Sequence, residues 1–229
     1  MADSSSPSKL SITRLILVPA VITLAVTFLR LAGELMRWSS VLFNRSAGGG
    51  GAIVGISWLP IIFGPYFAVK LWDRGQRPSG SGKTIGYALL GFLIMMAGAT
   101  IAFAPVVSFP GRQVVGLLLV AAAAALQFVP WRALATTLIV YAYAARIPVA
   151  IVMFFAMLGH WGTHYDALPP EAIPSGFWPR YFAIAIAPQL VMWIAYTMTL
   201  GALFGGAYVA ITRRKKTATA PGRQQTKSA

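Results

Sequence analysis

Both histidines of this chain fall in one short polar stretch, residues 159–171, together with two of its five acids. His160 and His164 are four residues apart, so a helix would place both imidazoles on one face, and Asp166 follows closely. Imidazole nitrogens and carboxylate oxygens bind zinc and other metals that prefer nitrogen and oxygen ligands. The spacing therefore predicts a metal-binding or proton-handling site at these three residues, which a membrane enzyme would use.

The same stretch also fits a loop at the membrane surface. Gly159 and Gly162 lower its helix propensity, and the two histidines lack the glutamate of the His-Glu-x-x-His zinc motif. Trp161 and Tyr165 are residue types that lie at headgroup level, so an interfacial loop is the favoured interpretation. The chain has no cysteine, which excludes thiolate nucleophiles and iron–sulfur sites of the cysteine type, and the sequence indicates no cofactor.

A second group of chemically active residues lies within apolar runs. Arg30 and Glu34 are one helical turn apart and can pair along a helix. Arg146 lies deep in an apolar run, where an arginine costs at least about 2.5 kcal/mol, so it should face protein or water and an acceptor. Glu34 is its expected acidic partner, and Gln189 is the other polar candidate. These four residues predict a polar pathway for a solute or ion, unless Arg146 merely reaches the interface or bonds carbonyls freed by Pro148.

The composition decides which elements must hold these residues. Hydrophobic residues make up 57% of the 229 residues, charged residues only 10%, and the mean hydropathy is +0.70. A soluble domain could not bury so much apolar surface, and a disordered chain has low hydrophobicity. The sequence therefore predicts an all-α integral membrane protein with no soluble domain.

Six apolar stretches are long enough to predict membrane spans, because a crossing helix needs about 20 residues. Residues 130–132, Pro-Trp-Arg, separate the fourth stretch from the fifth, since proline breaks the helix and arginine needs water or headgroups. The transmembrane domain is predicted over residues 15–212. Its spans are residues 15–36, 52–72, 84–107, 114–129, 133–158 and 181–211.

The positions of the basic residues predict the orientation. With the N-terminus inside the cell, 13 of the 19 Lys and Arg residues fall on the inner side and four on the outer side, as the positive-inside rule requires. Residues 1–14 are predicted as a polar cytoplasmic segment and residues 213–229 as a basic, disordered cytoplasmic tail. The tail begins with a basic cluster that is expected to bind anionic lipid headgroups: Arg213, Arg214, Lys215 and Lys216.

Two further patterns concern helix packing. Pro60, Gly64 and Pro65 fall within six residues of the second stretch, which predicts a broken helix of the kind that lines many transporter sites. Gly-x-x-x-Gly pairs occur at residues 51–55 and 201–205 and favour close helix contact, either inside one bundle or in a homo-oligomer.

Three function classes remain open. The favoured one is a non-enzymatic accessory, assembly or scaffold subunit, because few ionisable residues are buried. The short outer loops and the richness in Ala, Gly and Arg predict a bacterial inner membrane. The alternative is a small-solute or ion transporter or channel that uses Glu34, Arg146 and Gln189. The third is a membrane enzyme or metal site on the His160/His164 loop. The net charge of +14 is not taken to indicate nucleic acid, since no soluble module could carry that function.

Overall fold

The computed structural model describes residues 11–49, 51–169 and 175–218, and all regular secondary structure in those ranges is helical. Five helices precede a last helical stretch that passes through two π-helical segments. The elements are α1 Ile12–Leu35, a short 3-10 turn Ala47–Gly49, α2 Leu59–Asp73, α3 Ser81–Phe103, α4 Arg112–Leu126, α5 Arg132–Gly159, α6 Phe177–Tyr181, the π-helical segments Phe182–Ile186 and Pro188–Met192, and α7 Trp193–Ala218.

Four helical stretches are long and apolar enough to cross a membrane: Ile12–Leu35, Ser81–Phe103, Arg132–Gly159 and Phe177–Arg213. Their outer faces carry large apolar side chains, such as Leu17 on α1 and Leu93 on α3, which are 56% and 66% exposed. Lipid tails can cover such surfaces, whereas water would not stabilise them. The all-helical fold and four of the six predicted spans are therefore confirmed as helices of membrane-spanning length.

The helices in the second and fourth predicted spans are shorter than a membrane crossing. α2 and α4 have 15 residues each, which is about 22 Å at 1.5 Å per residue, against about 30 Å of hydrocarbon. Residues 51–58 form turns instead of helix, with Gly51 in a left-handed conformation (φ 80°). α2 begins only at Leu59, where Pro60 fits the first turn because its missing N–H needs no partner there.

Contacts between distant residues bring several helix ends together at one end of the bundle. Arg213 near the end of α7 forms an ion pair with Asp73 at the end of α2 (2.5 Å). The Ser79 N–H before α3 donates to the carbonyl oxygen of Pro130 before α5 (2.9 Å). The end of α2, the start of α3, the junction of α4 with α5, and the end of α7 therefore lie at the same end.

The opposite end of the bundle gathers the other helix termini. His164, in the loop after α5, bonds to Glu34 in the last turn of α1. Phe103, at the end of α3, lines a cavity together with residues of this loop and of α1. The six helical passes, α1 to α5 and the last stretch, therefore alternate in direction, and the short helices α2 and α4 run opposite to the long α1, α3 and α5.

Close packing of α2 against α7 depends on glycines. A Cβ on Gly64 would collide with the backbone of Gly201, and a Cβ on Gly205 would lie 2.9 Å from the carbonyl oxygen of Gly64. Gly64 therefore permits close approach and does not break α2, which continues through Pro65. The predicted break in this span is wrong, and the Gly201–Gly205 pair packs inside the bundle.

The helix that is interrupted is the last one. Two π-helical segments follow α6, Phe182–Ile186 and Pro188–Met192, before regular α-helix resumes at Trp193. Pro188 has no N–H to donate to the helical ladder and its ring crowds the preceding turn, which favours wider local winding there. Such π-helical turns occur frequently at functional sites.

Candidate functional site

A cavity of about 690 Å³ lies toward the end of the bundle opposite the paired ends of α2 and α7. Its wall is built from α1, residues 47–48 and 51–57, the end of α3, α5, the loop after α5 and the π-helical part of the last stretch up to Trp193. Two of the predicted pathway arginines, the predicted pathway glutamine and one predicted metal ligand line it. The polar side chains in its wall include Thr27, Arg30, Arg146, His164, Tyr165 and Gln189.

Glu34 lies directly behind this wall and is 1% exposed. Its Oε1 accepts from Nε of Arg30 (2.8 Å), and its Oε2 accepts from the backbone N–H of His164 (2.8 Å). Nδ1 of His164 lies 2.5 Å from Oε1. The predicted Arg30–Glu34 pair is confirmed, and it also holds the loop after α5 against α1.

The imidazole of His164 is oriented by this carboxylate. Since an ionised carboxylate only accepts, Nδ1 must donate to Glu34, which leaves Nε2 without a proton in the neutral ring. Burial lowers the pKa of His164 below its ordinary value, and the hydrogen bond to Glu34 acts in the opposite direction. His164 is thus held in one tautomer in the cavity wall.

Arg146 lies in the middle of α5 and is 5% exposed. Its Nη1 donates to Oε1 of Gln189 (3.2 Å), and its guanidinium lies over the ring of Trp193, 4.4 Å from the centroid. The predicted ion pair with Glu34 is therefore not formed. Glu34 is at the end of α1, where Arg30 and His164 already occupy both carboxylate oxygens.

The interrupted last helix supplies both partners of Arg146. Gln189 lies in the segment Pro188–Met192, and Trp193 follows four residues later, at the first residue of α7. The sequence predicted Gln189 but not Trp193 or Thr27. The prediction of Tyr165 at headgroup level is wrong, because this side chain is 2% exposed and lines the cavity. Trp193 could have been predicted from its spacing, because it follows Gln189 by four residues and such pairs share a helix face.

The three predicted metal ligands are not brought together. His160 ends α5 in a left-handed conformation (φ 49°) and is exposed, whereas His164 faces Glu34. Asp166 accepts from the N–H of Gly162 (2.9 Å) and from the N–H and hydroxyl of Thr163 (both 2.7 Å), and so closes the loop. Within the described ranges no group of three or more His, Asp or Glu residues could hold a metal ion, and metal binding stays an untested prediction.

The basic cluster at the start of the predicted tail lies on the last turns of α7. Arg213 is paired with Asp73, whose side chain is 51% exposed. The backbone of residues 214–216 continues the helix, and residues 219–229 lie outside the described ranges, as do residues 1–10 of the N-terminal segment. Headgroup binding by the cluster stays a prediction.

Fold and site together define an all-helical protein, over the residues that the structure describes, with helices of membrane-spanning length and a largely apolar cavity that several polar side chains line. Comparison with protein-family models, with curated proteins and with solved structures found no match.

Proposed function

We propose that this protein is a membrane transporter or channel for a small solute, with the cavity at Arg30, Arg146 and Gln189 as its binding site. The observation that carries the proposal is Arg146, a buried arginine that lines a cavity and has only a neutral hydrogen-bond acceptor among the described residues. An arginine at this depth is costly, and ionisable residues inside membrane spans typically mark substrate or ion pathways.

The interrupted helix supports the same proposal. Transporter sites are commonly formed by discontinuous helices near the membrane midplane, because irregular backbone is tolerated only where it lines a cavity. Ala183, Pro188 and Gln189 belong to the irregular part of the last stretch and line this cavity. Because π-helical turns are frequent at functional sites, we place the gating movement in this segment.

The membrane arrangement is part of the proposal. Six antiparallel passes would place both termini in the cytoplasm of a bacterium, with the chain in its inner membrane. In this arrangement Arg74, Arg77 and Arg132 lie at the cytoplasmic end, and the cavity opens toward the outside. The short helices α2 and α4 would cross only with local thinning of the bilayer or with help from their flanking loops.

Proteoliposomes test the proposed function. The purified protein would be reconstituted, and efflux of three membrane-impermeant solutes measured: benzenesulfonate, phenyltrimethylammonium and mannitol. We expect at least one to leave faster than from empty liposomes. Ala183→Trp should stop the flux because it fills the cavity, and Ala97→Trp, on the exposed face of α3, should not.

Flux of none of these solutes would contradict the proposal. Co-purification of a stoichiometric membrane-protein partner, together with absent flux, would then favour the accessory or scaffold subunit expected from the sequence. A homo-oligomer would be recognised by the mass of the purified particle.

A further inference from the structure

We infer that the cavity binds an organic oxyanion, a carboxylate or phosphate carried on an apolar body, with the charged head held by Arg146 and Gln189. This inference rests on the proposed function and names the chemical class of its solute. It is carried by the charge balance of the cavity wall, by the unused hydrogen-bond donors, and by the apolar part of the lining.

The charge balance of the wall is positive. Arg30 and Arg146 line the cavity, and none of the described lining residues is Asp or Glu. Glu34 lies behind the wall, and its two oxygens are taken by Arg30 and His164. One guanidinium charge, that of Arg146, is therefore left without a compensating acid among the described residues. This uncompensated charge favours an anion over a neutral solute and disfavours a cation.

The donors of Arg146 are arranged to meet an oxyanion. Gln189 is its one hydrogen-bond acceptor in the described chain, so most of its N–H groups are left for a ligand. Trp193 covers one face of the guanidinium, which directs binding to the edge, where a fork of N–H groups matches a carboxylate or phosphate. Stacking also fixes the orientation of the side chain before the ligand arrives.

Gln189 adds a second donor to the same site. Because its Oε1 accepts from Arg146, the assignment of its amide is fixed and its N–H groups point elsewhere. Gln189 itself lines the cavity. An oxyanion beside the guanidinium edge can therefore accept from both side chains.

The remaining wall is largely apolar and suits the body of the ligand. The volume of about 690 Å³ is within the usual range of small-molecule sites, which is about 300–1,000 Å³. Such a cavity holds more than an inorganic ion. Apolar side chains in its wall include Val26, Ile56, Phe103, Met153, Ile184 and Met192.

Matched ligands test the inference on the purified full chain. Benzoate, benzamide and benzylamine have one ring and differ in head charge, so their affinities, measured by calorimetry at pH 7.5, compare anion, neutral molecule and cation. We expect benzoate to bind best. Arg146→Gln should weaken benzoate binding at least about tenfold, because it removes charge-assisted hydrogen bonds. Arg146→Lys should give an intermediate affinity, since it keeps the charge and loses the fork.

The matched control is Arg37→Gln. Arg37 is exposed at the same end of the bundle and does not line the cavity, so this variant makes the same change in net charge and should leave benzoate affinity unchanged. Elution volume and helix content would show that each variant is folded. If Arg146→Gln does not fold, Arg146→Lys and Gln189→Leu replace it in the test, and each is expected to lower the benzoate affinity several fold.

A lipid headgroup could supply the same oxyanion, and a second arm identifies that source. Nanodiscs of phosphatidylglycerol and of phosphatidylcholine would be compared by native mass spectrometry of the released protein. Phosphatidylglycerol retained by the wild type and lost from Arg146→Gln, without benzoate binding, would support an anionic lipid as the ligand. Benzoate binding would support a free organic acid.

Two results would overturn the inference. One is preference for benzamide or benzylamine over benzoate, and the other is anion binding that is unaffected by Arg146→Gln and Arg146→Lys. In the first case, flux of a cation or neutral solute in proteoliposomes would leave the proposed function standing. Benzoate binding that depends on Arg146, without any flux, would instead support the anion site and contradict transport.

Discussion

Replacing Glu34 by glutamine should cost far more stability than any other loss of an acid in the described helices. Its carboxylate accepts from Nε of Arg30 at 2.8 Å, from the backbone N–H of His164 at 2.8 Å, and faces Nδ1 of His164 at 2.5 Å. A glutamine side chain would keep the shape, but it would turn an amide N–H toward groups that also donate. Arg30 would lose its acidic partner while its side chain is only 12% exposed.

The size of the effect follows from these contacts. A hydrogen bond to a charged group contributes about 1.5–3 kcal/mol, and removing one partner of a buried pair costs about 3–5 kcal/mol. We expect Glu34→Gln to lower the free energy of unfolding by about 3 kcal/mol. Asp73→Asn breaks the other acid–arginine pair, with Arg213, but Asp73 is 51% exposed, so the loss should be at most about 1 kcal/mol.

Equilibrium unfolding in mixed micelles, with dodecyl sulfate as denaturant and circular dichroism as the signal, would measure both variants. His164→Ala and the double variant complete a cycle that isolates the coupling of Glu34 with the imidazole. Equal losses for Glu34→Gln and Asp73→Asn would refute the reasoning, because the buried carboxylate would then not hold the loop to α1.

The remaining predictions concern pH and packing. The pKa of His164 lies below its ordinary value of 6.5, so the unfolded chain binds the proton more readily than the folded chain. The free energy of unfolding should therefore be full above pH 6.5 and fall as the pH is lowered below it. The charged groups around His164 are Arg30, Glu34 and Asp166. His164→Gln should flatten this part of the pH profile of unfolding, and an unchanged slope would contradict the burial of the ring. Gly64→Ala should lower the unfolding free energy by about 1–3 kcal/mol, since its Cβ meets the backbone of Gly201. Gly86→Ala, whose Cβ meets open space on α3, should raise the unfolding free energy by up to about 1 kcal/mol. Equal effects of the two substitutions would contradict the close α2–α7 contact.

Local sequence patterns correctly predicted the features that depend on a single helix. The apolar stretches predict the helices because hydropathy and length are properties of each segment. The Arg30–Glu34 pair follows from a spacing of four residues on one helix. The glycines of α7 predict a close helix contact, but only the tertiary structure identifies the partner as Gly64 on α2.

Other features depend on contacts between distant parts of the chain. Glu34 and His164 are 130 residues apart, so no spacing rule could join the predicted pathway to the predicted metal loop. The sequence placed the helix break at Pro60 and Pro65, whereas tertiary packing keeps that helix regular and the irregular winding occurs around Pro188. Proline alone does not tell which helix will change its winding, because neighbouring helices decide which freed carbonyls are satisfied.

The natural absence of cysteine allows the most direct test of the central claim, which is an anion-preferring cavity open to the outside of the membrane. Ser57 lines the cavity, and Gly82 is exposed in the first turn of α3 at the opposite end. Single-cysteine variants at these positions would be treated in intact cells with methanethiosulfonates that cannot cross the membrane, one carrying a sulfonate and one a quaternary ammonium.

We predict that Ser57→Cys reacts from outside, and faster with the sulfonate reagent than with the ammonium reagent. Arg146→Gln should reduce this preference, because it removes the uncompensated charge. Gly82→Cys should react only in inverted vesicles. A Ser57→Cys variant that is unreactive from outside, or that prefers the cationic reagent, would contradict the account.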